Sequence, residues 1–267
     1  MLFRSTNTEK LLAHKDGAAG WITFNNPAKR NAMSYEMWLG LDIALDAFIA
    51  DPAIRVIVLK GAGDKAFVSG ADISEFKEKR ANPQMVAEFN KVSGAIAEKL
   101  QNCLKPTIAM IRGYCMGGGL GTALLCDLRI CADDSRFGIP AGKLGVGYKY
   151  TALKRLSDLV GPANVAEIFY TARQFDAQEA KDMGLVNRVL PVDKLEAFVA
   201  DYVKTIGGNA PLTLKAVKVC LGEIAKDDHK RDIALCDRVV DDCFASEDYT
   251  EGRTAFMEKR KAVFRGR

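Results

Sequence analysis

The chain has 267 residues, 48% of them hydrophobic, and a net charge of +4 from 38 basic and 34 acidic side chains. That is enough apolar material for one or two cores; the charge is too mild to imply nucleic acid but suits a small anionic substrate. No apolar span approaches the roughly 18 residues of a membrane helix, and Met1–Lys10 lacks the apolar centre of a signal peptide.

In chain order, Ala19–Phe24 predicts a short strand closed by Asn25-Asn26-Pro27. Ser34 is placed to cap a helix whose apolar residues Met37, Leu41, Ala44, Leu45 and Phe48 recur about every 3.6 residues. Asp51-Pro52 stops it. The β-branched run Ile54–Leu59 predicts a buried parallel strand, Gly61–Asp64 a turn, and Ala66–Ser69 another strand. Asp72, with Glu75 three residues on, has the form of a capping box and predicts a helix start there. Ala71 then stands just before the cap, with its N–H at the mouth of that helix. Gln84–Asn102 predicts a longer helix, ended by Lys105-Pro106.

The apolar run Thr107–Ile111 breaks at Arg112-Gly113. Gly117, Gly118 and Gly119 follow, then the small and apolar run Leu120–Cys126. This predicts a buried strand, a tight glycine turn and a buried helix. A helix start leaves N–H groups unpaired at its positive end, and residues without side chains let another group come close. Such a place suits a negatively charged oxygen: a phosphate, a carboxylate or the oxyanion of an intermediate. Close helix–strand packing alone would also account for three glycines.

Leu128–Ala132 and Arg136–Ile139 predict strands, Pro140–Tyr150 a glycine-rich loop, and Thr151–Leu159, Pro162–Thr171 and Ala177–Met183 helices. Val186–Leu190 predicts a strand. From Pro191 a helical tail runs on, with breaks near Gly207-Gly208-Asn209, Asp227-Asp228 and Ala245-Ser246. The alternation predicts an α/β fold, with a core over 1–190 and a helical region over 191–267.

Several chemistries have little to draw on. Only two histidines, His14 and His229, are present, so neither a Ser–His–Asp triad nor a metal site is expected. Gly117–Thr122 lacks the last glycine of GxGxxG, and no acidic residue follows about 20 residues on. Gly138–Leu144 has the wrong spacing for a P-loop. The seven cysteines show no zinc spacing; Cys103, Cys115, Cys126, Cys131 and Cys220 lie in apolar runs and read as reduced core thiols, as expected of a cytoplasmic or organelle-matrix protein.

Five stretches, Ala66–Phe76, Gly113–Asp127, Phe137–Gly145, Asp176–Val189 and Ser246–Lys261, together resemble the crotonase family of enoyl-CoA hydratases and isomerases. The resemblance covers nearly the whole chain in the right order. It implies a superhelical core of repeated ββα turns and a helical C-terminal trimerisation region. The implied partners are further copies of the chain, as a trimer or dimer of trimers, with no nucleic acid and no membrane. The implied substrate is an acyl-CoA thioester, with no separate cofactor. The backbone N–H groups of Ala71 and Gly118 would hold the thioester oxygen of an enolate intermediate. Coenzyme A would lie along Lys29, Arg30 and Ala32, the turn Ser69, Gly70, Asp72 and Ile73, and the C-terminal helix. There Phe256 would pack on the acyl or pantetheine portion, and Lys259 of a neighbouring copy would meet the phosphates. Gly117 and Pro140 would line the site.

The departures from the family pattern bear on the reaction. The two glutamates that handle water and a proton in family hydratases fall here at Gly121 and Ala141, and a usual lysine falls at Ser74. The resemblance therefore implies acyl-CoA binding and enolate stabilisation but not ordinary hydration. Asp72, Glu75, Lys143 and Tyr148 are the candidate replacement acids or bases, with Tyr148 preferred. The stretch around Tyr148 partly resembles the family's methylmalonyl-CoA decarboxylases, in which a tyrosine at this place faces the reacting carbons. Their histidine at the position of Ala71 is missing. Three readings follow: an acyl-CoA enzyme of the hydratase type with its acid or base from elsewhere, a malonyl-type decarboxylase, or a silent acyl-CoA-binding or RNA-binding relative. Only the basic clusters Lys77–Arg80 and Lys259–Lys261 favour RNA binding.

Overall fold

The computed structural model describes residues 6–75 and 82–267. Part of Met1–Lys10, Phe76 of the first family motif and the basic cluster Lys77–Arg80 lie outside the described residues. The strands are β1 (Leu11–Asp16), β2 (Ala19–Phe24), β3 (Val56–Gly61), β4 (Ala66–Val68), β5 (Thr107–Ile111), β6 (Tyr114–Met116), β7 (Leu128–Ala132), β8 (Arg136–Gly138), β9 (Phe175–Asp176) and β10 (Arg188–Leu190). The helices are α1 (Tyr35–Ala50), α2 (Pro83–Gln101), α3 (Gly118–Leu124), α4 (Ala141–Leu144), α5 (Tyr150–Thr171), α6 (Ala177–Asp182), α7 (Leu195–Gly207), α8 (Pro211–Ile224), α9 (Ile233–Phe244) and α10 (Glu247–Met257).

One sheet runs β1-β2-β3-β5-β7-β10 and the other β4-β6-β8-β9. Neighbours are parallel except at β1–β2 and β8–β9. The pairs β3-β4, β5-β6 and β7-β8 each give their first strand to the large sheet and their second to the small one. A helical segment then returns the chain. This is the ββα repeat that the resemblance implies. The step between sheets after β5 is made at Gly113 (φ 64), where a Cβ would come within 2.2 Å of Lys65 O. Hence the break at Arg112-Gly113.

Burial explains why the central strands were legible. Val56, Ile57, Val58 and Leu59 are fully buried, and so is every residue of β5 but for a trace at Met110. Three strands, β1, β6 and the two-residue β9, were not predicted. β6 has three residues between glycines, and β1 is an edge strand whose polar His14, Lys15 and Asp16 break the apolar pattern. The predicted cap of α1 is present: Met37 N donates to Ser34 Oγ at 3.3 Å. Its five apolar residues all point into the main core.

The long helix α5 contains the predicted interruption, a kink at Gly161 (φ 78) before Pro162. Within the stretch predicted as a loop, Pro140 starts the single helical turn α4, closed by Lys143 N donating to Pro140 O at 3.1 Å. From 191 the chain is helical only as far as Met257. The helical tail was expected to run to the end, but beyond α10 the chain leaves the helix and folds back, with Arg265 N and Gly266 N donating to Asp248 at 2.6 and 2.7 Å. The first long helix of this region, α7, covers the large sheet: Leu195, Val199 and Val203 pack on Val56, Val58, Ile108 and Ile130. Helices α8–α10 lie beyond it. Lys218 of α8 ties them to the start of β5, donating to Asp127 Oδ2 at 2.7 Å and to Lys105 O at 2.9 Å. Cys220, expected in the core, is only half-buried, because α8 turns that face towards an open groove. No helix among the described residues is long and apolar enough to cross a membrane.

Candidate active site

The strands β4, β6 and β8 are neighbours in the small sheet, and their C-terminal ends open into three turns. These are Ser69–Asp72, Gly117-Gly118 and Ile139-Pro140. In parallel α/β sheets, ligands bind off the C-terminal ends of the strands. The turns are held against one another. Gly117 N donates to Gly138 O at 2.8 Å, Met33 N to Gly70 O at 2.7 Å and Asp72 N to Met33 O at 2.9 Å. The bridge of Met33 to Ala71 thus uses Gly70 O and Asp72 N. It leaves the Ala71 N–H without an acceptor among the described residues. Gly118 is the first residue of α3, where helical geometry offers its N–H no partner, and none is found among the described residues. A Cβ built on Gly118 would lie 3.7 Å from Ala71 N. Two uncommitted donors therefore border one small space.

The glycines divide the two roles that the sequence left open. Gly117 has φ 51 and ψ −116, a conformation closed to side chains, and makes the turn. Gly118 carries the free donor. Gly119 serves packing, since a Cβ there would sit 2.0 Å from Val68 O.

Lys29–Ala32 and Ser69–Ile73 form one continuous surface. Lys29 Nζ lies 2.9 Å from Asp72 Oδ2 and 2.7 Å from Ser74 Oγ, and Ser69 N donates to Arg30 O at 3.1 Å. Arg30 lies over the Tyr114 ring, Ala32 is buried and Ile73 is exposed. The capping box predicted at Asp72 and Glu75 does not form. Asp72 Oδ1 accepts from Ser74 N and Oγ at 3.0 and 2.6 Å, in a short 3-10 turn, Ile73–Glu75. Glu75 instead accepts from Tyr35 N at 2.8 Å, in the first turn of α1, where backbone N–H groups lack helical acceptors. Burial pushes the Asp72 carboxyl up, but the hydrogen bonds from Ser74 and Lys29 outweigh it and hold the group below its usual range. Both carboxylates are thereby engaged in hydrogen bonds, Asp72 within its own turn and Glu75 with α1. Sequence reading missed Asn31. It is fully buried in the left-handed region (φ 55), donating to Ala62 O and Ala66 O at 3.0 and 2.7 Å and accepting from Asn26 N at 2.9 Å. It locks the Lys29 turn to β4. An asparagine after a proline-led turn was the available signal.

Gly121, one turn further along α3, faces open space, with nothing within 4 Å of a built Cβ. Ala141 is buried in the main core. Pro140 lies against Gly117: its Cδ would be 4.0 Å from a Cβ there. Tyr148 packs edge-on against Phe169, with ring centroids 4.8 Å apart. A Cβ built on Gly142 would lie 3.3 Å from Phe169 O, so α4 and Tyr148 both pack against this residue of α5. Its hydroxyl has no hydrogen-bond partner among the described residues, and burial pushes its pKa above the usual value. Lys143 is exposed on α4.

Phe256 and Lys259 are not brought to this surface within one chain. Phe256 is 83% exposed and lines an apolar groove of about 920 Å³ with Leu221, Phe244, Tyr249 and Met257. Lys259 is exposed just past α10, at φ 55.

The geometry can be set beside known proteins. A family model described as enoyl-CoA hydratase/isomerase matches residues 15–267. The chain is 33% identical to a short-chain-enoyl-CoA hydratase of Clostridium acetobutylicum, over 94% of this chain and 95% of the relative. It is 31% identical to a peroxisomal Delta(3,5)-Delta(2,4)-dienoyl-CoA isomerase of Arabidopsis thaliana, over 96% of each. A solved structure described as an enoyl-CoA hydratase/carnithine racemase from Magnetospirillum magneticum superposes with a TM-score of 0.90, at 36% identity over 97% of both chains.

Proposed function

The chain belongs to the enoyl-CoA hydratase/isomerase family, and on that premise we propose that it binds an acyl-CoA thioester and stabilises its enolate between Ala71 N–H and Gly118 N–H. The observation that carries this reading is the pair of uncommitted donors at one space. Preorganised N–H groups aimed at a developing oxyanion need no reorganisation when charge appears. Lys29 and the Ser69–Ile73 turn border the coenzyme A side of the site, and Lys259 would reach the phosphates from a neighbouring copy.

The reaction does not follow from identity, since relatives named hydratase and isomerase match about equally well. The side chains favour chemistry without a glutamate pair. With glycine at 121 and alanine at 141, no carboxylate is there to activate water and protonate carbon. A second reading, decarboxylation of a malonyl-type thioester, is favoured by Tyr148. The bond from the α-carbon to the carboxylate breaks, CO₂ leaves, and the electron pair becomes the enolate held by the two N–H groups. The Tyr148 hydroxyl then gives its proton to that carbon and regains one from water. A panel of thioesters tests both readings. Purified protein should hydrate crotonyl-CoA poorly and release CO₂ from malonyl- or methylmalonyl-CoA, with Tyr148→Phe slowing release about 10²-fold. Efficient hydration would overturn the first expectation. Equal CO₂ release by both proteins, or none by either, would remove Tyr148 from the chemistry.

Self-association as a trimer, or a dimer of trimers, is part of the same proposal. The groove of α8–α10 leaves Leu221, Phe244, Phe256 and Met257 exposed together, more apolar surface in one place than a monomer normally shows. Sedimentation should give a trimer or hexamer that Phe256→Asp dissociates. A wild-type monomer at micromolar concentration would be the contrary result.

A further inference from the structure

Positions three apart on a helix share a face and lie about 5–6 Å from one another. Gly121 therefore stands on the same face of α3 as Gly118, one turn along. That face is turned towards the Ala71 turn: a Cβ built on Gly118 would lie 3.7 Å from Ala71 N and 3.9 Å from Gly70 C. A Cβ built on Gly121 meets nothing within 4 Å. Gly121 is nevertheless half-buried, so the opening is a cleft beside the two donors and not free surface.

The elements bordering this cleft offer it apolar groups. No residue of α3 is charged, and its one hydroxyl, on Thr122, is buried and donates to Gly118 O at 2.9 Å, turned back on its own helix. Gly121 N donates to Gly117 O at 3.0 Å, and a Cβ on Gly117 would meet Pro140 Cδ at 4.0 Å. After Pro140 come Ala141, Leu144 and Val146. Val146 N donates to Ala141 O at 3.1 Å, which keeps it beside the Pro140 turn, and Leu144 and Val146 are exposed. An opening with little polar lining gains most from an apolar occupant. For a thioester whose oxygen sits on Gly118 N–H, the part of the acyl group next to the carbonyl is the part within reach of it.

Resting on the enolate reading above, we propose that Gly121 determines the acyl specificity of the site: the substrate carries an apolar ring beside its α-carbon, and the ring fills the space that any side chain at 121 would take. Phenylacetyl-CoA and 6-phenylhexanoyl-CoA test this, since they carry the same ring, on the α-carbon in the first and several methylenes away in the second. Their binding is measured by calorimetry for wild type, Gly121→Ala and Gly121→Val, with thermal unfolding alongside. Alanine and valine are no worse than glycine in a helix, so both variants should fold; if valine does not, alanine carries the test. Wild type should bind both thioesters. Gly121→Val should weaken phenylacetyl-CoA by about 10–200-fold, the range that a methylene-sized change in a pocket spans, and 6-phenylhexanoyl-CoA far less. Gly121→Ala should fall between wild type and Gly121→Val. Unchanged binding of both thioesters by the variants would mean that the cleft holds only water, and overturns the proposal. So does an equal loss for both, which would mean a general disturbance of α3, or wild type that binds only 6-phenylhexanoyl-CoA. In each of those cases binding of 6-phenylhexanoyl-CoA by wild type leaves the enolate site standing. Failure of wild type to bind either thioester, or butyryl-CoA, would overturn both.

Discussion

Gly118→Pro should lower kcat by about 10²–10³-fold, or about 2.7–4 kcal/mol, while leaving the protein folded. Proline is well tolerated at the first position of a helix, which is where Gly118 stands in α3. The preceding residue is Gly117, which has no Cβ to meet the proline ring. The substitution therefore removes one N–H and little else. If that N–H binds the oxygen only as charge develops, kcat and kcat/KM should fall together, with the apparent affinity for substrate kept. Thioester turnover measured beside thermal unfolding checks this. A folded variant with wild-type turnover would take Gly118 out of the oxyanion pair and leave the triplet as a packing device.

Gly119→Ala should act through stability instead, costing about 3 kcal/mol or more in urea unfolding. Its Cβ would be driven to 2.0 Å from Val68 O and 2.7 Å from Val68 C, backbone atoms of a paired strand that cannot step aside. Either α3 lifts from β4, carrying Gly118 away from Ala71, or the small sheet distorts. Gly121→Ala in the same helix meets open space and should be neutral or gain up to about 1 kcal/mol from improved helix propensity. Two glycines two residues apart thus have opposite expected responses. Similar unfolding of both variants would show that α3 does not pack on β4 as described. The contrast also bears on restoring the family's glutamates: residue 121 has room for one, whereas residue 141 would bury a carboxylate in the main core.

Much of the architecture could be read from local pattern. The β-branched run of β3, the 3.6-residue period of α1 with its Ser34 cap, and the three breaks in the tail all depend on near neighbours in the chain. Where the reading failed, neighbours in space had decided. β1 forms from a mixed polar segment because β2 is beside it, pairing Leu11 with Phe24 and Asp16 with Ala19. Glu75 serves α1 and not its own turn, because the start of α1 comes within reach and Tyr35 N donates to its carboxylate. The Pro140–Tyr150 stretch, read as an open loop from its glycines, contains a helical turn and seats Tyr148 against Phe169.

By itself the sequence determined the chemical inventory. It showed a glycine triplet before a helix, a second turn ending at Ala71, a tyrosine in the loop after Pro140, and no carboxylate at 121 or 141. Only the tertiary structure decided that two of these elements lie at one place. Ala71 and Gly118 each follow a three-residue strand, and nothing local in either stretch refers to the other. They meet because β4 and β6 pair in parallel and end together, so that each strand delivers its turn to the same edge of the sheet. Which backbone N–H groups stay unpaired there is set by register and by the bridge from Met33 to Ala71. Those are contacts between distant segments, which periodicity and propensity do not encode.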